Sequence, residues 1–174
     1  MSELLTHEEY KSLGASLDFP QSSFIDGKYY KGSGALLTTL NPSTGKEITN
    51  ITTASDEDVD LAVEKAREAF DQGRWCRLHP SERKDILIKL CKLLTRNQKE
   101  LAVMESLESG KPIRDCVQID LPEAIHTIKW HAELIDKIYD QTAPSSDDAL
   151  SLIIREPIGV VAAILPWNLS LIHI

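Results

Sequence analysis

The residues most able to do chemistry stand at the end of the run from Arg155 to Asn168. Apolar residues from Ile158 to Leu165 predict a strand buried on both faces, and the run ends abruptly in Pro166-Trp167-Asn168. The strand therefore delivers an aromatic ring and a carboxamide at its carboxyl end, which is the edge of an open α/β sheet where ligands bind. An asparagine after a strand also commonly forms a turn, and that alternative stays open.

The cysteines and histidines do not have the spacing of a catalytic or metal site. Cys76, Cys91 and Cys116 lack Cys-x-x-Cys or metal-ligand spacing. Cys91 stands among leucines, which predicts a small core residue, and the other two flank charged residues without a histidine or glycine-rich partner sequence. Three unpaired cysteines indicate a reducing, cytoplasmic compartment. The scattered histidines are interpreted as surface or packing residues: His79, His126 and His131.

Two acidic residues, Asp120 and Glu123, stand three apart and are predicted to share one face of a helix. A carboxylate pair in that position could attract a cation. The alternative is a solvated helix face in an acidic protein.

The elements that must position these groups are mostly helical until the last quarter of the chain. Asp26-Gly27 predicts a tight hairpin between residues 24 and 30, and a strand is expected from Glu47 to Ile51. Ser55 is a predicted helix N-cap. Further helices are expected from Pro80 to a break near Asn97, from there to a C-cap at Gly110, and from Ile113 to Tyr139 with a bend near Pro122. Residues 141–149 are predicted to be a loop, and residues 150–155 a strand.

Composition excludes several classes of protein. The chain has 174 residues, of which 42% are hydrophobic and 26% charged, so it can form a core and disorder is expected only in the first 20 or so. Its net charge of −8 argues against nucleic acid or an anionic membrane as a partner. Its beginning lacks the basic and apolar regions of a secretory signal, and its longest apolar run is too short to span a bilayer.

Four motifs together resemble the aldehyde dehydrogenase superfamily, in the order and at the spacings of its N-terminal region. They are Phe24-Ile25-Asp26-Gly27, Asn41-Pro42-Ser43-Thr44-Gly45, Leu107-Glu108-Ser109-Gly110-Lys111-Pro112, and the run from Arg155 through Pro166-Trp167-Asn168. The resemblance covers about residues 20–168. Residues 112–139 look most like the subgroup that oxidises ω-amino, γ-glutamylamino and guanidino aldehydes. A broad-specificity or semialdehyde dehydrogenase is the alternative within the family.

The resemblance implies oxidation of an aldehyde to the carboxylic acid by way of a cysteine thiohemiacetal, with NAD or NADP accepting a hydride. Asn168 aligns with the asparagine whose NH₂ group donates to the oxyanion, a role suited to an amide because it carries no titratable charge. Leu165, Pro166 and Trp167 match positions bordering the nicotinamide ribose, although for Leu165 and Pro166 plain strand-end packing is equally expected. None of the three cysteines matches the nucleophile motif, which is expected beyond residue 174 together with the glutamate base.

Other roles also follow only from the resemblance. Asp120 and Glu123 correspond to the substrate entrance, where related enzymes carry acidic residues. Glu108 matches an acidic position that joins backbone carbonyls near Thr39 in a monovalent cation site, but one carboxylate is thin support, and no metal ligand set is predicted. The segment around residues 150–155 corresponds to a hairpin whose edge pairs with a neighbouring subunit, so a homodimer or homotetramer is expected for the complete enzyme.

The implied fold class is α/β, namely the N-terminal part of a Rossmann-like NAD-binding domain with long helices, plus an oligomerisation hairpin, and incomplete. Expected units are a poorly defined segment (1–20), a largely helical portion of the NAD-binding domain (21–140), the hairpin (141–157), and the first strand of the dinucleotide-binding sheet (158–168). Residues 169–174 depart from the family pattern, and look like a translated sequencing adaptor.

On this interpretation the chain is an inactive fragment, aggregation-prone or molten on its own. The competing interpretation from a different class is a self-contained helical interaction module without chemistry. That module would unfold cooperatively.

Overall fold

The computed structural model describes residues 4–165, which form six α-helices and three separate two-stranded antiparallel hairpins. The helices are α1 (His7–Ser16), α2 (Asp56–Asp71), α3 (Pro80–Arg96), α4 (Gln98–Ser109), α5 (Ile113–Asp115) and α6 (Leu121–Leu134). The strands are β1 (Ser23–Ile25), β2 (Lys28–Tyr30), β3 (Leu36–Leu40), β4 (Glu47–Thr52), β5 (Gln141–Ala143) and β6 (Ser151–Ile153). No helix in this part of the chain is long and apolar enough to cross a membrane.

The first hairpin has the turn that its sequence predicts. Asp26 and Gly27 both have positive φ angles, 48° and 77°, which a two-residue hairpin turn requires and which glycine adopts without cost. Across β1 and β2 the rings of Phe24 and Tyr29 meet edge to face, with centroids 5.2 Å apart. Arg74 lies 2.9 Å from Asp26, so the turn is tied to the end of α2.

Ser55 is the N-cap of α2, as predicted. Its side chain accepts from the Asp58 amide, and the Asp58 carboxylate accepts in return from the Ser55 amide at 2.9 Å. The same carboxylate accepts from the Ser33 backbone amide and hydroxyl. These hydrogen bonds, led by the one from the Ser33 amide, lower the pKa of Asp58 to about 2. The loop before β3 is thereby joined to the start of α2.

The predicted third long helix is continuous from 113 to 137, but it is not regular. α5 leads into a π-helical segment, Cys116–Asp120, then α6, and finally a 3₁₀ turn, Ile135–Lys137. The bend predicted near Pro122 stays a prediction, but the hydrogen-bond pattern does change there, since the Leu121 amide donates to the carbonyl of Cys116, five residues back. Proline cannot donate a backbone hydrogen bond, so this turn of helix adjusts its pairing just before it.

The core lies where α1, α4 and the π segment meet. Its buried side chains are Tyr10, Ala102, Val103, Cys116, Val117 and Leu121. α3 packs on α6 beside it, where Cys91 is buried as predicted and its thiol lies 3.7 Å from the carbonyl of Ile125.

Three local expectations need correction. The N-terminal residues 1–20 were expected to be poorly defined, yet α1 occupies 7–16 with a capping box from Thr6 and Glu9. Residues 141–149 were expected to be a loop, but β5 pairs with β6 at their start. Residues 158–165 form no hydrogen-bonded strand, and Ile158 and Ile164 are 90% and 98% exposed instead of buried. A strand must pair with a neighbour, and residues 4–165 supply none beside it.

Candidate functional site

The predicted oxyanion donor, Asn168, lies outside the described residues, and so do Pro166 and Trp167. Leu165 is the one predicted cofactor-binding residue within them, and it is 45% exposed at the end of the open segment 158–165. What the structure describes is how the chain leads toward this site.

The approach to the open segment is held by two arginines. The Arg155 amide donates to the Asp140 carboxylate at 3.0 Å, and its guanidinium donates to the carbonyl of Tyr139, which closes the stem of the β5–β6 hairpin. Four residues after Arg155, Gly159 lies beside the guanidinium of Arg67 on α2. The same guanidinium lies over the ring of Phe70, 5.4 Å from its centroid. The segment therefore leaves the hairpin in a direction set by α2 and by the end of the long helix.

The two predicted entrance acids have different environments. Asp120, at the end of the π segment, is 7% exposed, and its carboxylate accepts from the Lys111 ammonium at 2.9 Å. Glu123, one turn later on α6, is exposed. They do not form a shared acidic face, because Asp120 points to Lys111 in the protein interior. The solvated-face alternative is likewise wrong for Asp120.

Lys111 joins two buried carboxylates, an arrangement that the sequence analysis missed. Its ammonium lies 2.9 Å from Asp120 and 3.5 Å from Glu105, which is 7% exposed on α4. Burial raises the pKa of Glu105 despite the neighbouring ammonium. Burial alone would lower the pKa of Lys111, but Asp120 and Glu105 outweigh it and raise that pKa. The sequence did contain an indication that Glu105 is buried, since it follows Leu101 by four residues and so lies on the inward face of α4.

The cysteines are unsuited to nucleophilic chemistry, as the sequence predicts. Cys116 is fully buried, and burial, followed by the nearby charges of Asp120 and Glu105, raises its thiol pKa to about 12. Burial also raises the thiol pKa of Cys91. A thiol is nucleophilic only as the thiolate, so neither side chain is activated at neutral pH. Cys76 is half-buried, and its thiol lies 3.6 Å from the carbonyl of Phe70.

The histidines have local structural contacts. His79 is the N-cap of α3, where its Nδ1 accepts from the Ser81 amide at 3.3 Å. Nδ1 of His131 donates to the carbonyl of Thr127 at 2.8 Å, and His126 is exposed. Among residues 4–165, no three His, Cys, Asp or Glu side chains are grouped so that they could hold a metal ion.

Thr39 and Glu108 lie in the wall of the same cavity. They line one cavity of about 220 Å³ between the β3–β4 hairpin and the C-terminal half of α4, together with Thr49 and Met104. The Thr39 hydroxyl donates to the carbonyl of Thr49 at 3.1 Å. The monovalent cation site stays a prediction.

Comparison with known proteins identifies the family. The family model described as "Aldehyde dehydrogenase family" matches residues 29–174 of this chain. The chain belongs to the aldehyde dehydrogenase family. Aminoacetaldehyde dehydrogenase of Pseudomonas aeruginosa is 52% identical to it over 173 residues, which are 99% of this chain and 35% of the relative.

Solved aldehyde dehydrogenase structures share the fold. The γ-glutamyl-γ-aminobutyraldehyde dehydrogenase of Burkholderia cenocepacia superposes with a TM-score of 0.94 at 36% identity, over 97% of this chain and 34% of that one. The P. syringae indole-3-acetaldehyde dehydrogenase, solved with NAD⁺ and IAA, gives 0.94 at 39% identity over the same shares. This chain spans about a third of the length of these aldehyde dehydrogenases, so its helices and hairpins are a fragment of their fold.

Proposed function

We propose that this chain is the N-terminal third of an NAD(P)-dependent aldehyde dehydrogenase that oxidises an ω-amino, γ-glutamylamino or guanidino aldehyde to the acid. The observation that carries the proposal is the family match over residues 29–174, together with 52% identity to an aminoacetaldehyde dehydrogenase. The names of the Pseudomonas and Burkholderia relatives support an aldehyde with a nitrogen-bearing tail. We expect the 174 residues alone to be inactive, because burial raises the thiol pKa of Cys116 and Cys91 and none of the three cysteines matches the family's nucleophile motif.

In the complete enzyme NAD(P)⁺ accepts the hydride from a cysteine thiohemiacetal formed beyond residue 174. The contribution of this chain is to hold Asn168 as a neutral donor to the oxyanion and to present Leu165, Pro166 and Trp167 beside the cofactor. The exposure of Leu165 at the end of the open segment agrees with a position that another group covers. Glu123 is the better remaining candidate for the substrate entrance, since it is exposed while Asp120 is paired with Lys111.

The β5–β6 hairpin supports a homodimer or homotetramer for the complete enzyme. Its apolar side chains Leu150, Leu152 and Ile154 are 74%, 54% and 62% exposed. An apolar edge left open in this way is a liability unless another chain covers it.

The first experiment reads the gene past codon 168. We expect the intact protein to carry a phosphate-binding lysine, a Glu-x-Gly-Gly-Lys-like segment and a Gly-x-x-Cys-like segment. A genuine stop after Ile174, with cooperative unfolding of the 174 residues by calorimetry, would instead support the helical interaction module.

The second experiment replaces the proposed donor in the intact enzyme. Asn168→Ala should lower kcat by about 10²–10³, because one oxyanion donor is lost. Asn168→Asp keeps the size but replaces the NH₂ donor with an acceptor, so its loss should be at least as large. The thermal midpoint of each variant serves as the control for folding. Unchanged turnover in both variants would remove Asn168 from the site.

Substrate class is tested with kcat/KM for aminobutyraldehyde, guanidinobutyraldehyde and succinic semialdehyde. Preference for the first two supports the proposal, and preference for the third, or equal rates, supports the semialdehyde or broad-specificity alternative. Measuring each with NAD⁺ and NADP⁺ decides the cofactor.

A further inference from the structure

A cavity of about 510 Å³ lies between the α2–α3 connection, the start of α3, the end of the long helix and the stem of the β5–β6 hairpin. Much of its wall is apolar, formed by Trp75, Ile135, Ile138 and Pro157. It shares no lining residue with the cavity beside Thr39.

Arg83 is the one cation in this wall without a partner among residues 4–165. Its Nε is buried and donates no hydrogen bond, and its guanidinium makes no ion pair or other hydrogen bond within the described chain. Arg83 as a whole is half-buried, but an N–H group withdrawn from water without an acceptor is costly, and folded proteins normally pair it. Arg155, the other arginine of the wall, has its partners in Asp140 and the Tyr139 carbonyl.

The acids of the wall do not serve Arg83. Asp140 is engaged by the amide and guanidinium of Arg155. Glu156 is exposed and forms no ion pair with a described residue. Residues 4–165 therefore supply no acceptor for the buried Nε of Arg83.

The position of the cavity indicates where that acceptor originates. Residues 155–157 form part of its wall and lead without interruption into the open segment 158–165, whose side chains are largely exposed. The chain spans about a third of its relatives, so whatever covers the open segment in a complete protein also lies next to the cavity.

We propose that this cavity is an internal docking site, in which Arg83 binds a carboxylate side chain from the part of the complete polypeptide beyond residue 174. The planar guanidinium matches a carboxylate with two parallel hydrogen bonds, and the apolar wall excludes water from the pair. The inference rests on the proposed function, since it requires that the chain continue into a complete aldehyde dehydrogenase.

The test uses Arg83→Lys in the complete protein with a carbodiimide, which joins an amine to a carboxylate in contact with it. We expect mass spectrometry to find the introduced lysine linked to one Asp or Glu beyond position 174. Arg77→Lys is the matched control, because Arg77 is exposed on the α2–α3 connection. Its guanidinium donates only to the Asp71 carbonyl, at 3.4 Å. It should give no such specific link.

Removing the charge gives a second readout. Arg83→Met should lower the thermal midpoint of the complete protein by several degrees, since the docked carboxylate loses its partner, whereas Arg77→Met should leave it unchanged. Three outcomes would overturn the docking site: no cross-link, a cross-link only to Asp140 or Glu156, or an unchanged midpoint in Arg83→Met.

A free anion is the remaining occupant to distinguish. If acetate or inorganic phosphate raises the thermal midpoint saturably in the wild-type protein but not in Arg83→Met, against a chloride control, the cavity binds a small anion and the inference is wrong. An enzyme that oxidises aldehydes yet gives none of the expected results contradicts the docking site alone. A gene without a longer product contradicts the proposed function itself.

Discussion

The Lys111 ammonium lies between two carboxylates that come from different elements. Asp120 has the spacing of a surface acid with Glu123, but its carboxylate lies against Lys111 and is 7% exposed. Glu105 approaches the same ammonium from α4 at 3.5 Å. One cation therefore holds α4 and the π segment together, and two buried carboxylates depend on it.

Lys111→Met should be strongly destabilising, because it leaves Glu105 and Asp120 buried without their cation. We expect a loss of about 3 kcal/mol in the free energy of unfolding, at the lower end for a broken buried pair, since Lys111 keeps 25% of its side chain exposed. Urea denaturation followed by far-UV circular dichroism measures the loss.

The control for Lys111 is Lys129→Met. Lys129 forms an exposed ion pair with Glu133 at 3.7 Å on α6, and exposed pairs contribute less than about 1 kcal/mol. Equal losses in the two variants would show that the buried cluster has no special weight.

At the scale of elements, short-range signals located the helix ends well. Ser55 caps α2, Pro80 begins α3, Asn97 separates α3 from α4, and Gly110 ends α4. These positions are decided by backbone conformation and by hydrogen bonds within four residues, so the local sequence contains the necessary information. Pairing between segments more distant in sequence gave no local signal: the residue pattern predicted a loop at 141–149, and the hairpin at 141–157 was expected only from the family resemblance.

Gly110→Ala should destabilise the end of α4 through two separable effects. Gly110 has φ of 77°, and an added Cβ would lie 2.9 Å from Cγ of Pro42, a rigid ring that cannot turn aside. The left-handed conformation alone costs about 1–2 kcal/mol, and the clash should add about 1 kcal/mol or more.

Gly45→Ala isolates the first effect. Gly45 has a similar φ of 66°, but nothing lies within 4 Å of an added Cβ. The difference between the two variants in the free energy of unfolding, again from urea denaturation, measures the contact with Pro42. Equal losses in the free energy of unfolding would mean that the turn at residues 41–45 moves away from the added Cβ without cost.

On the scale of the whole molecule, the buried core and the exposed apolar surface lie in different parts of the chain. α1, α4 and the π segment bury their side chains against each other. The β5–β6 hairpin and the segment 158–165 leave most of their apolar side chains exposed. A surface of this kind needs either the rest of a fold or another chain to cover it.

Ile164→Lys should reduce aggregation of the 174-residue chain. Ile164 is 98% exposed, and a charge at this position interrupts an open apolar segment. Light scattering over time at fixed concentration measures aggregation.

Ile119→Lys adds the same charge at an isoleucine that is 53% exposed on the π segment. We expect it to reduce aggregation much less. If both variants behave alike, net charge and not the open segment governs association. If Ile164→Lys leaves the light scattering unchanged, the open segment does not drive association.

The sequence by itself determined the family, the limits of α3 and α4, the N-cap of α2, the Asp26-Gly27 hairpin and the inertness of Cys91 and Cys116. Motif order, capping residues and apolar neighbours are local properties of the sequence, so they can be recognised in a chain that spans only a third of the fold. Only the tertiary structure decided that Asp120 faces Lys111, that Arg83 lacks an acceptor among residues 4–165, and that residues 158–165 stand open. Burial and pairing are relations between distant segments, so they depend on which segments are present to cover a side chain.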